Sequence, residues 1–172
     1  TARAAGEMRT RLHGLGVAGV QARTFHAAAL RQLQYFWPQA VGGPPPPLAD
    51  HKAPLVGLAA QRLRMSTDRT LIRDLAAEIE WAKVNLLTPE QYVRAAEGAG
   101  RGTPGGKTLA DVARVLQEYE NVKTDRGVID FEDVLLVMAG ILADHPQIAT
   151  AIRGQYRHFV VDEYQDVSAL QH

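Results

Sequence analysis

The side chains best suited to catalysis lie near the end of the chain, where an apolar run stops at a group of acids. The run at 159–161 predicts a buried strand over residues 158–162, and Asp162 and Glu163 stand at its carboxyl end. Open α/β sheets bind their ligands at that end of their strands. Asp162 could therefore hold Mg²⁺, directly or through water, and Glu163 could polarise an attacking water. Gln165 could sense a phosphate group or that water.

Two other functions remain open for the same segment. Asp162, Glu163 and Asp166 could form the metal site of a nuclease. Such sites usually need a nearby lysine or a second acidic strand, and the sequence makes neither evident. The segment could also be a charged turn in a helical protein-interaction domain, in which case its likeness to a catalytic group is a coincidence.

The composition favours one globular domain, or one domain and part of another. The chain has 172 residues, of which 46% are hydrophobic, and this suffices for a core. The absence of cysteine excludes a disulfide scaffold, a thiolate zinc site and a cysteine nucleophile, and it fits a reducing cytoplasm. No apolar run approaches the ~20 residues of a membrane span, so we expect no membrane partner and a cytoplasmic location.

The charges are balanced over the whole chain but unevenly distributed along it. Residues 1–36 carry a net charge of +4, residues 37–107 a net charge of +2, and residues 108–172 a net charge of −6. A basic beginning suits an anionic polymer and an acidic end suits a cation. Ordinary surface charge would give the same pattern, so the distribution alone does not identify a partner.

Helical patterns fill most of the chain between two strand-like segments. The helical patterns cover residues 2–15, 26–36, 54–65, 68–85, 88–97, 108–123 and the stretch from 130 onwards, and the strand-like segments are 20–25 and 158–162. Asp130 is expected to cap its helix, with Asp133 as an acid of the first turn. The sequence begins at Thr1 rather than at a methionine, inside a helical pattern, which suggests a piece of a longer protein.

The glycine-rich segment 102–108 imitates a phosphate-binding loop. The pattern G-x-x-x-x-G-K-[ST] requires a glycine five residues before Gly106, where this chain has Arg101. The mechanism also requires a strand before the loop, whereas a helical pattern precedes this one. We therefore predict a flexible loop between two helices that does not bind ATP.

Several segments together resemble the UvrD/Rep/PcrA superfamily 1 DNA helicases. Residues 162–166 (DEYQD), after the apolar run, resemble motif II, the Walker B motif, of these enzymes. Other matches follow the order of the family: 1–8 (TARAAGEM) with motif Ia, 24–26 (TFH) with the next motif, 79–83 (IEWAK) and 87–92 (LTPEQY) with the helical insertion, and 130–135 (DFEDVL) with D-F-x-D-L-L. The resemblance therefore extends over the whole chain.

The resemblance implies a fragment of an ATP-dependent helicase with a mainly α fold. A helical insertion domain, 1B, would occupy residues 25–154. Residues 1–24 and 155–172 would contribute short strands and a helix to an incomplete RecA-like α/β domain, 1A. The Walker A loop, the rest of domain 1A, and domains 2A and 2B would lie outside this chain, so the fragment itself would be inactive. The whole enzyme would use ATP and Mg²⁺ to translocate on single-stranded DNA and to unwind duplex or forked DNA, in repair or replication.

The resemblance also implies roles for individual residues. Asp162 would hold the Mg²⁺ of MgATP, Glu163 would activate the hydrolytic water, and Gln165 would couple the nucleotide state to DNA, with all three at the nucleotide site. Six residues would contact DNA: Thr1, Arg3, Thr24, Phe25, His26 and Lys83. The chain departs from the family at Ala2, where asparagine is frequent, and at Arg3, which keeps the charge of the usual lysine. Without the resemblance, Phe25 would be taken for a core residue and His26 for a surface or capping residue.

Overall fold

The computed structural model describes residues 1–168 and residue 171, apart from the side chain of Asp166. Within this range the chain forms eight α-helices: α1 (Ala2–Gly14), α2 (Phe25–Ala40), α3 (Ala53–Arg62), α4 (Arg69–Val84), α5 (Pro89–Gly98), α6 (Leu109–Arg126), α7 (Phe131–Asp144) and α8 (Pro146–Gln155). Two short 3₁₀ turns, Pro104–Gly106 and Tyr164–Asp166, lie in the connecting segments. The predicted mainly α character is therefore correct.

The predicted flanking strands are wrong. No strand is present in the described residues, so the expected RecA-like α/β part is not formed, and residues 20–24 and 156–161 have no regular secondary structure. The apolar side chain of Val160, expected in a core, is 99% exposed. A strand needs a neighbour to pair its backbone groups, and the described chain offers only one isolated parallel bridge, between Leu48 and Ile129.

The chain divides into two compact units. The first unit comprises residues 1–45 and 134–159, and the second comprises residues 46–133 and 160–172. This partition does not test the expected division into domains at 25 and 154, which stays a prediction.

The second unit has a core built from four helices, α3 to α6. Helix α4 buries an apolar stripe at helical spacing, which includes Leu71, Leu75 and Ile79. The rings of Tyr92 on α5 and Tyr119 on α6 are fully buried in the same unit. Burial of these side chains removes a large apolar area from water, which is the main favourable term in folding.

Side-chain caps fix where the helices of the second unit begin. Asp68 caps α4, because its Oδ1 accepts a hydrogen bond from the backbone N–H of Leu71 at 2.9 Å. Reciprocal capping boxes begin α5 at Thr88 and α6 at Thr108. Helix α6 ends at Gly127, whose φ of 60° is the left-handed conformation that glycine adopts without strain.

The first unit contains α1, α2, α8 and all but the first turn of α7. Its buried apolar side chains include Leu33 and Phe36 on α2 and Ile148 on α8. Gln32 is also buried, and its Nε2 donates hydrogen bonds to the Oε1 of Gln155 and to the hydroxyl of Tyr156. Helix α1, by contrast, buries none of its residues.

No single helix of the described chain has the length and composition of a membrane span. Helices α7 and α8 reach that length and apolar composition only when taken together, and they are bent by 111° at the break between them.

Candidate functional site

The acidic segment lies in an exposed turn rather than at the end of a strand. Asp162 and Glu163 are both exposed, and the 3₁₀ turn that follows is closed by a bond from the Val167 N–H to the Tyr164 carbonyl. The Oδ1 of Asp162 accepts a hydrogen bond from the Glu163 N–H at 3.1 Å. Gln165 donates from its Nε2 to a carboxylate oxygen of Glu163. The turn therefore brings together the three residues that the sequence assigns to the nucleotide.

Glu163 adopts an unusual backbone conformation. Its φ of 51° lies in the left-handed region, which costs a non-glycine residue roughly 1–2 kcal/mol. Strain of this kind is concentrated at functional sites. Carboxylate oxygens are the ligands that Mg²⁺ prefers, and the exposed acids of this turn fit that donor set. The side chain of Asp166, the third acid of the nuclease alternative, lies outside the described part of the chain.

Five of the six predicted DNA contacts lie at the starts of α1 and α2. Thr1 and Thr24 are the N-caps: each Oγ1 accepts a hydrogen bond at 3.2 Å, from the N–H of Ala4 and of Ala27 respectively. The free amides of such helix ends attract phosphate. The side chain of Arg3 is 90% exposed, with its Nε 3.1 Å from the Oε1 of Glu7 on the same helix.

The aromatic residues at the start of α2 differ in exposure. Phe25 is 38% exposed, so part of its ring can reach a ligand from solvent. His26 is half-buried, and this burial lowers the pKa of its imidazole. We expect His26 to be neutral at pH 7, and therefore to act through hydrogen bonds rather than through charge.

A cleft separates α1 from the segment before α2. It has a volume of about 450 Å³ and is lined by residues that include Ala5, Arg9, Arg23 and Thr24. Arg9 spans part of the cleft, because its Nη1 donates to the carbonyl of Ala22 at 2.7 Å. Sequence reasoning missed this role of Arg9, which looked like one of several basic residues on a solvated helix.

Lys83, the sixth predicted DNA contact, is a buried residue of the second unit. Its side chain is only 6% exposed. Its ammonium lies 2.6 Å from the Oδ2 of Asp130, 2.5 Å from the Oδ1 of Asp133 and 3.1 Å from the Oε1 of Glu120. The charge of Lys83 is thus balanced by carboxylates of the same unit, and its contact with DNA phosphate stays a prediction.

A second buried lysine joins the same group of acids. Lys123 Nζ lies 2.6 Å from the Oδ2 of Asp133 and 2.7 Å from the Oε2 of Glu120. The hydroxyl of Tyr119 donates to the Oδ2 of Asp130 at 2.8 Å. We call the group formed by Lys83, Lys123, Glu120, Asp130 and Asp133 the lysine clasp.

Mutual attraction within the lysine clasp shifts the pKa values of two of its members, Lys83 and Asp130. Burial would lower the pKa of Lys83, but the charges of Asp130, Asp133 and Glu120 outweigh burial and raise it. Burial would likewise raise the pKa of Asp130, but the charges of Lys83 and Lys123 outweigh it and hold that pKa well below its ordinary value. Lys83 and Asp130 are therefore both charged at neutral pH.

Two of the clasp carboxylates, Asp130 and Asp133, also cap α7, as the sequence predicts. The Oδ1 of Asp130 accepts from the Asp133 N–H, and the Oδ2 of Asp133 accepts from the Asp130 N–H, both at 2.9 Å. Oxygens of Glu120, Asp130 and Asp133 lie within 4.8 Å of one another, which is close enough for a metal ion. Since the same oxygens already contact two ammonium groups, we interpret the group as an ion-pair network.

Another buried ion pair lies elsewhere in the second unit. The guanidinium of Arg101 contacts both carboxylate oxygens of Glu78, and the hydroxyl of Tyr92 donates to the Oε2 at 2.7 Å. Burial would raise the pKa of Glu78, but these hydrogen bonds outweigh burial and lower it. The guanidinium also stacks on Trp81, 4.5 Å from the ring centroid. These contacts give Trp81 and Arg101 structural roles.

Comparison with known proteins assigns the chain to a family. The family model for the UvrD/REP helicase N-terminal domain matches residues 1–172, the whole chain. The chain belongs to this family. The resemblance seen in the sequence is therefore confirmed.

Three similar proteins carry helicase names. The chain is 46% identical over 183 residues to the ATP-dependent DNA helicase UvrD2 of Mycobacterium tuberculosis, covering 99% of this chain and 26% of that protein. It is 31% identical to the ATP-dependent DNA helicase UvrD1 of the same organism, with 100% and 22% covered. It is 29% identical to the ATP-dependent DNA helicase PcrA of Leuconostoc citreum, with 100% and 23% covered. The chain thus spans about a quarter of the length of these relatives.

Proposed function

We propose that the full-length protein is an ATP-dependent DNA helicase that translocates on single-stranded DNA and unwinds duplex or forked DNA in repair or replication. The observation that carries the proposal is the acidic segment at 162–166 within a chain that matches the helicase family from end to end. The names of the relatives support ATP as the nucleotide and DNA as the substrate.

The acidic turn is proposed to act on MgATP. Bound Mg²⁺ would supply positive charge to the phosphates. Asp162 would hold this ion, since its carboxylate is exposed and can still accept a ligand on its second oxygen. Glu163 would take a proton from the attacking water, and Gln165, which donates to Glu163, would orient that carboxylate and respond to DNA.

DNA is proposed to bind at the starts of α1 and α2. Thr1, Arg3, Thr24, Phe25 and His26 form this DNA face, which offers helix-end amides, an exposed guanidinium and a half-exposed ring. Phosphate contacts release counterions, so affinity should be independent of sequence and should fall steeply as salt rises.

The acidic turn is tested by steady-state ATPase and nucleotide binding in the full-length protein. Glu163→Gln keeps the shape of the side chain but removes the base, so ATP should bind almost normally while hydrolysis falls by ~10²–10⁴-fold. Asp162→Asn should mainly weaken the dependence on Mg²⁺, and Gln165→Ala should mainly reduce stimulation by DNA. An equal loss of MgATP affinity in all three variants would mean that the turn is only structural.

The DNA face is tested by anisotropy of a labelled single-stranded oligonucleotide at two salt concentrations. Arg3→Ala and His26→Ala should each weaken binding by roughly 0.5–2 kcal/mol, the range of one hydrogen bond. Arg73→Ala is the matched control, because this exposed arginine of the second unit pairs with its neighbour Asp74. Unchanged affinity in the Arg3→Ala/His26→Ala double variant, or affinity independent of salt, would place the DNA site elsewhere.

The isolated 172-residue chain should show no DNA-stimulated ATPase. Phosphoryl transfer needs several preorganised groups around the phosphates, and the segment 102–108 does not satisfy the phosphate-loop pattern. Cleavage of DNA by the chain with Mg²⁺ would favour the nuclease alternative instead.

A further inference from the structure

The segment that connects α1 to α2 in the first unit has few contacts of its own. Residues 17–21 are all exposed and have no regular secondary structure. Gly16 and Gly19 have φ values of 72° and 86°, which glycine adopts without strain. A Cβ built at either glycine would meet no atom within 4 Å among the described residues. Little in this part of the segment therefore determines where it lies.

Ala22 is the anchor of the segment. Its side chain is only 7% exposed, although the residues on either side of it are exposed. Its carbonyl accepts a hydrogen bond from the Nη1 of Arg9, on α1, at 2.7 Å. Within the described part of the chain, this is the only hydrogen bond that residues 18–23 make. Because its donor is charged, the bond is stronger than one between neutral groups.

The anchor lies two residues before the part of the DNA face that belongs to α2. Thr24 caps that helix, and the ring and imidazole of its first two residues complete this part of the face. Two residues of backbone span at most about 7 Å, so the position of the Ala22 carbonyl restricts where α2 begins. The other part of the face lies at the start of α1, the helix that also supplies Arg9. The hydrogen bond from Arg9 therefore ties the two parts together.

We propose that Arg9 is a positioning residue for DNA binding, because it holds the start of α2 beside the start of α1 through the carbonyl of Ala22. The inference rests on the proposed function, since it concerns how the DNA face is held together. Arg9 itself does not contact DNA. Its hydrogen bond orders a segment that DNA would otherwise have to order on binding, and that ordering would lower the affinity.

The test measures the affinity of the full-length protein for a labelled single-stranded oligonucleotide by anisotropy, without nucleotide and at several salt concentrations. Arg9→Met removes the donor and keeps most of the side-chain volume. Affinity should fall by about 5- to 10-fold, the range of one hydrogen bond. Amide hydrogen exchange over residues 18–24 should become faster, since the segment loses its anchor.

Arg11→Met is the matched control for the loss of one positive charge from α1. Arg11 is exposed on the same helix, and its side chain has no hydrogen bond or ion pair among the described residues. The affinity of this variant should stay within about twofold of the native value, because one exposed charge in salt solution has a small effect.

Salt dependence separates positioning from direct contact with phosphate. Each phosphate of a single strand that a cation neutralises contributes about 0.7 to the slope of log K against log salt. Thr24 and Phe25 are uncharged, and the lowered pKa of His26 keeps it neutral at about pH 8. Displacement of these residues therefore leaves the slope unchanged, and Arg9→Met should lower affinity by the same factor at every salt concentration. A slope reduced by about 0.7 would mean that Arg9 contacts a phosphate, and it would overturn the positioning role.

Ala22→Gly tests the anchor from its other end without a change in charge. It removes the buried methyl group and gives the backbone more freedom. Affinity should fall by about 3- to 5-fold, and the double variant Arg9→Met/Ala22→Gly should lose less than the product of the single losses, because both act through one anchor. Ala18→Gly adds the same freedom at an exposed position of the segment. This control should stay within about twofold of the native affinity.

The outcomes separate the two proposals. If the unmodified protein does not bind single-stranded DNA, or the Arg3→Ala/His26→Ala variant binds it normally, the proposed DNA face fails and the positioning role fails with it. If that variant binds weakly but Arg9→Met and Ala22→Gly bind as tightly as their controls, only the positioning role is overturned. An equal loss in Arg9→Met and Arg11→Met would also overturn it, because the effect would then be one of charge. Faster hydrogen exchange without a loss of affinity would mean that the anchor serves the structure alone.

Discussion

The hydroxyl of Tyr119 allows the energetics of the clasp to be measured through a single atom. Tyr119→Phe removes the donor that lies 2.8 Å from the Oδ2 of Asp130. The ring stays, so its burial and its contacts with the ammonium groups of Lys83 and Lys123, 5.8 and 5.2 Å from the ring centroid, are retained. The variant therefore isolates one buried hydrogen bond to a charged acceptor.

Such a bond contributes roughly 1.5–3 kcal/mol to the free energy of unfolding. The Asp130 oxygen keeps two ammonium donors after the substitution, so we expect the lower end, about 1.5 kcal/mol. Lys83→Met removes an ammonium partner from buried carboxylates, and it should lower the free energy of unfolding by about 3–5 kcal/mol. The loss in the free energy of unfolding is therefore expected to be at least twice as large in Lys83→Met as in Tyr119→Phe.

Denaturant unfolding of the 172-residue chain, followed by fluorescence, measures these values. The chain has two tryptophans, and in a Trp37→Phe background Trp81 reports on the second unit alone. Tyr92→Phe, which loses a similar bond to buried Glu78, should give a similar loss. Tyr35→Phe, with a side chain 75% exposed, should change stability by less than about 0.5 kcal/mol. A loss in Tyr119→Phe no larger than that control would refute the assigned hydrogen bond and its contribution to the clasp.

Two further predictions concern the same unit. Gly105→Ala and Gly106→Ala both force a side chain into positive φ, at roughly 1–2 kcal/mol each. Only at Gly105 would the new Cβ lie 2.9 Å from the Leu71 Cδ1, so Gly105→Ala should lower the melting temperature more; equal shifts would exclude the steric reason. Because Asp130 has a lowered pKa in the folded state, its contribution to stability is present above about pH 4 and should be lost as pH falls further. Urea midpoints between pH 2 and 6 check this, and Asp130→Asn should flatten the curve.

Local signals made most helices predictable from the sequence. Thr88 and Thr108 were recognisable as caps because a partner three residues later completes each capping box. Asp130 and Asp133 form the cap and first-turn acid that their spacing predicts. The end of α2 was misplaced at Phe36, since the helix continues to Ala40 with Pro38 inside it. The break was expected because Pro38 has no N–H to donate to the carbonyl of Gln34 and its ring crowds that carbonyl.

Features that depend on distant residues were not predictable. The two strands were expected from apolar runs, but a strand depends on a neighbouring strand that the described chain does not provide. The ion pairs of Lys83 could not be foreseen, because its partners lie 37 to 50 residues away in the sequence. The acidic turn was found because its members are adjacent in the chain, and the roles of Asp162, Glu163 and Gln165 stay predictions.

The loop at 102–108 resembles a phosphate-binding loop in sequence but not in structure. It was correctly predicted to lack the strand of a phosphate loop. It is less free than a flexible connector, because Pro104 is buried and Gly105 lies against Leu71 of α4. Glycine-rich composition alone therefore did not indicate that the loop packs on a helix.

The lysine clasp also constrains how this chain can diverge during evolution. Loss of any one member leaves a buried charge without its partner, and such a change is strongly destabilising. Replacement of a whole buried ion pair by apolar residues, in contrast, is often neutral or even stabilising. Single substitutions at Lys83, Lys123 or Asp130 should therefore be rare among related chains, whereas the complete apolar replacement is open to any lineage that does not need the clasp. We expect these positions to be inherited or lost as a block.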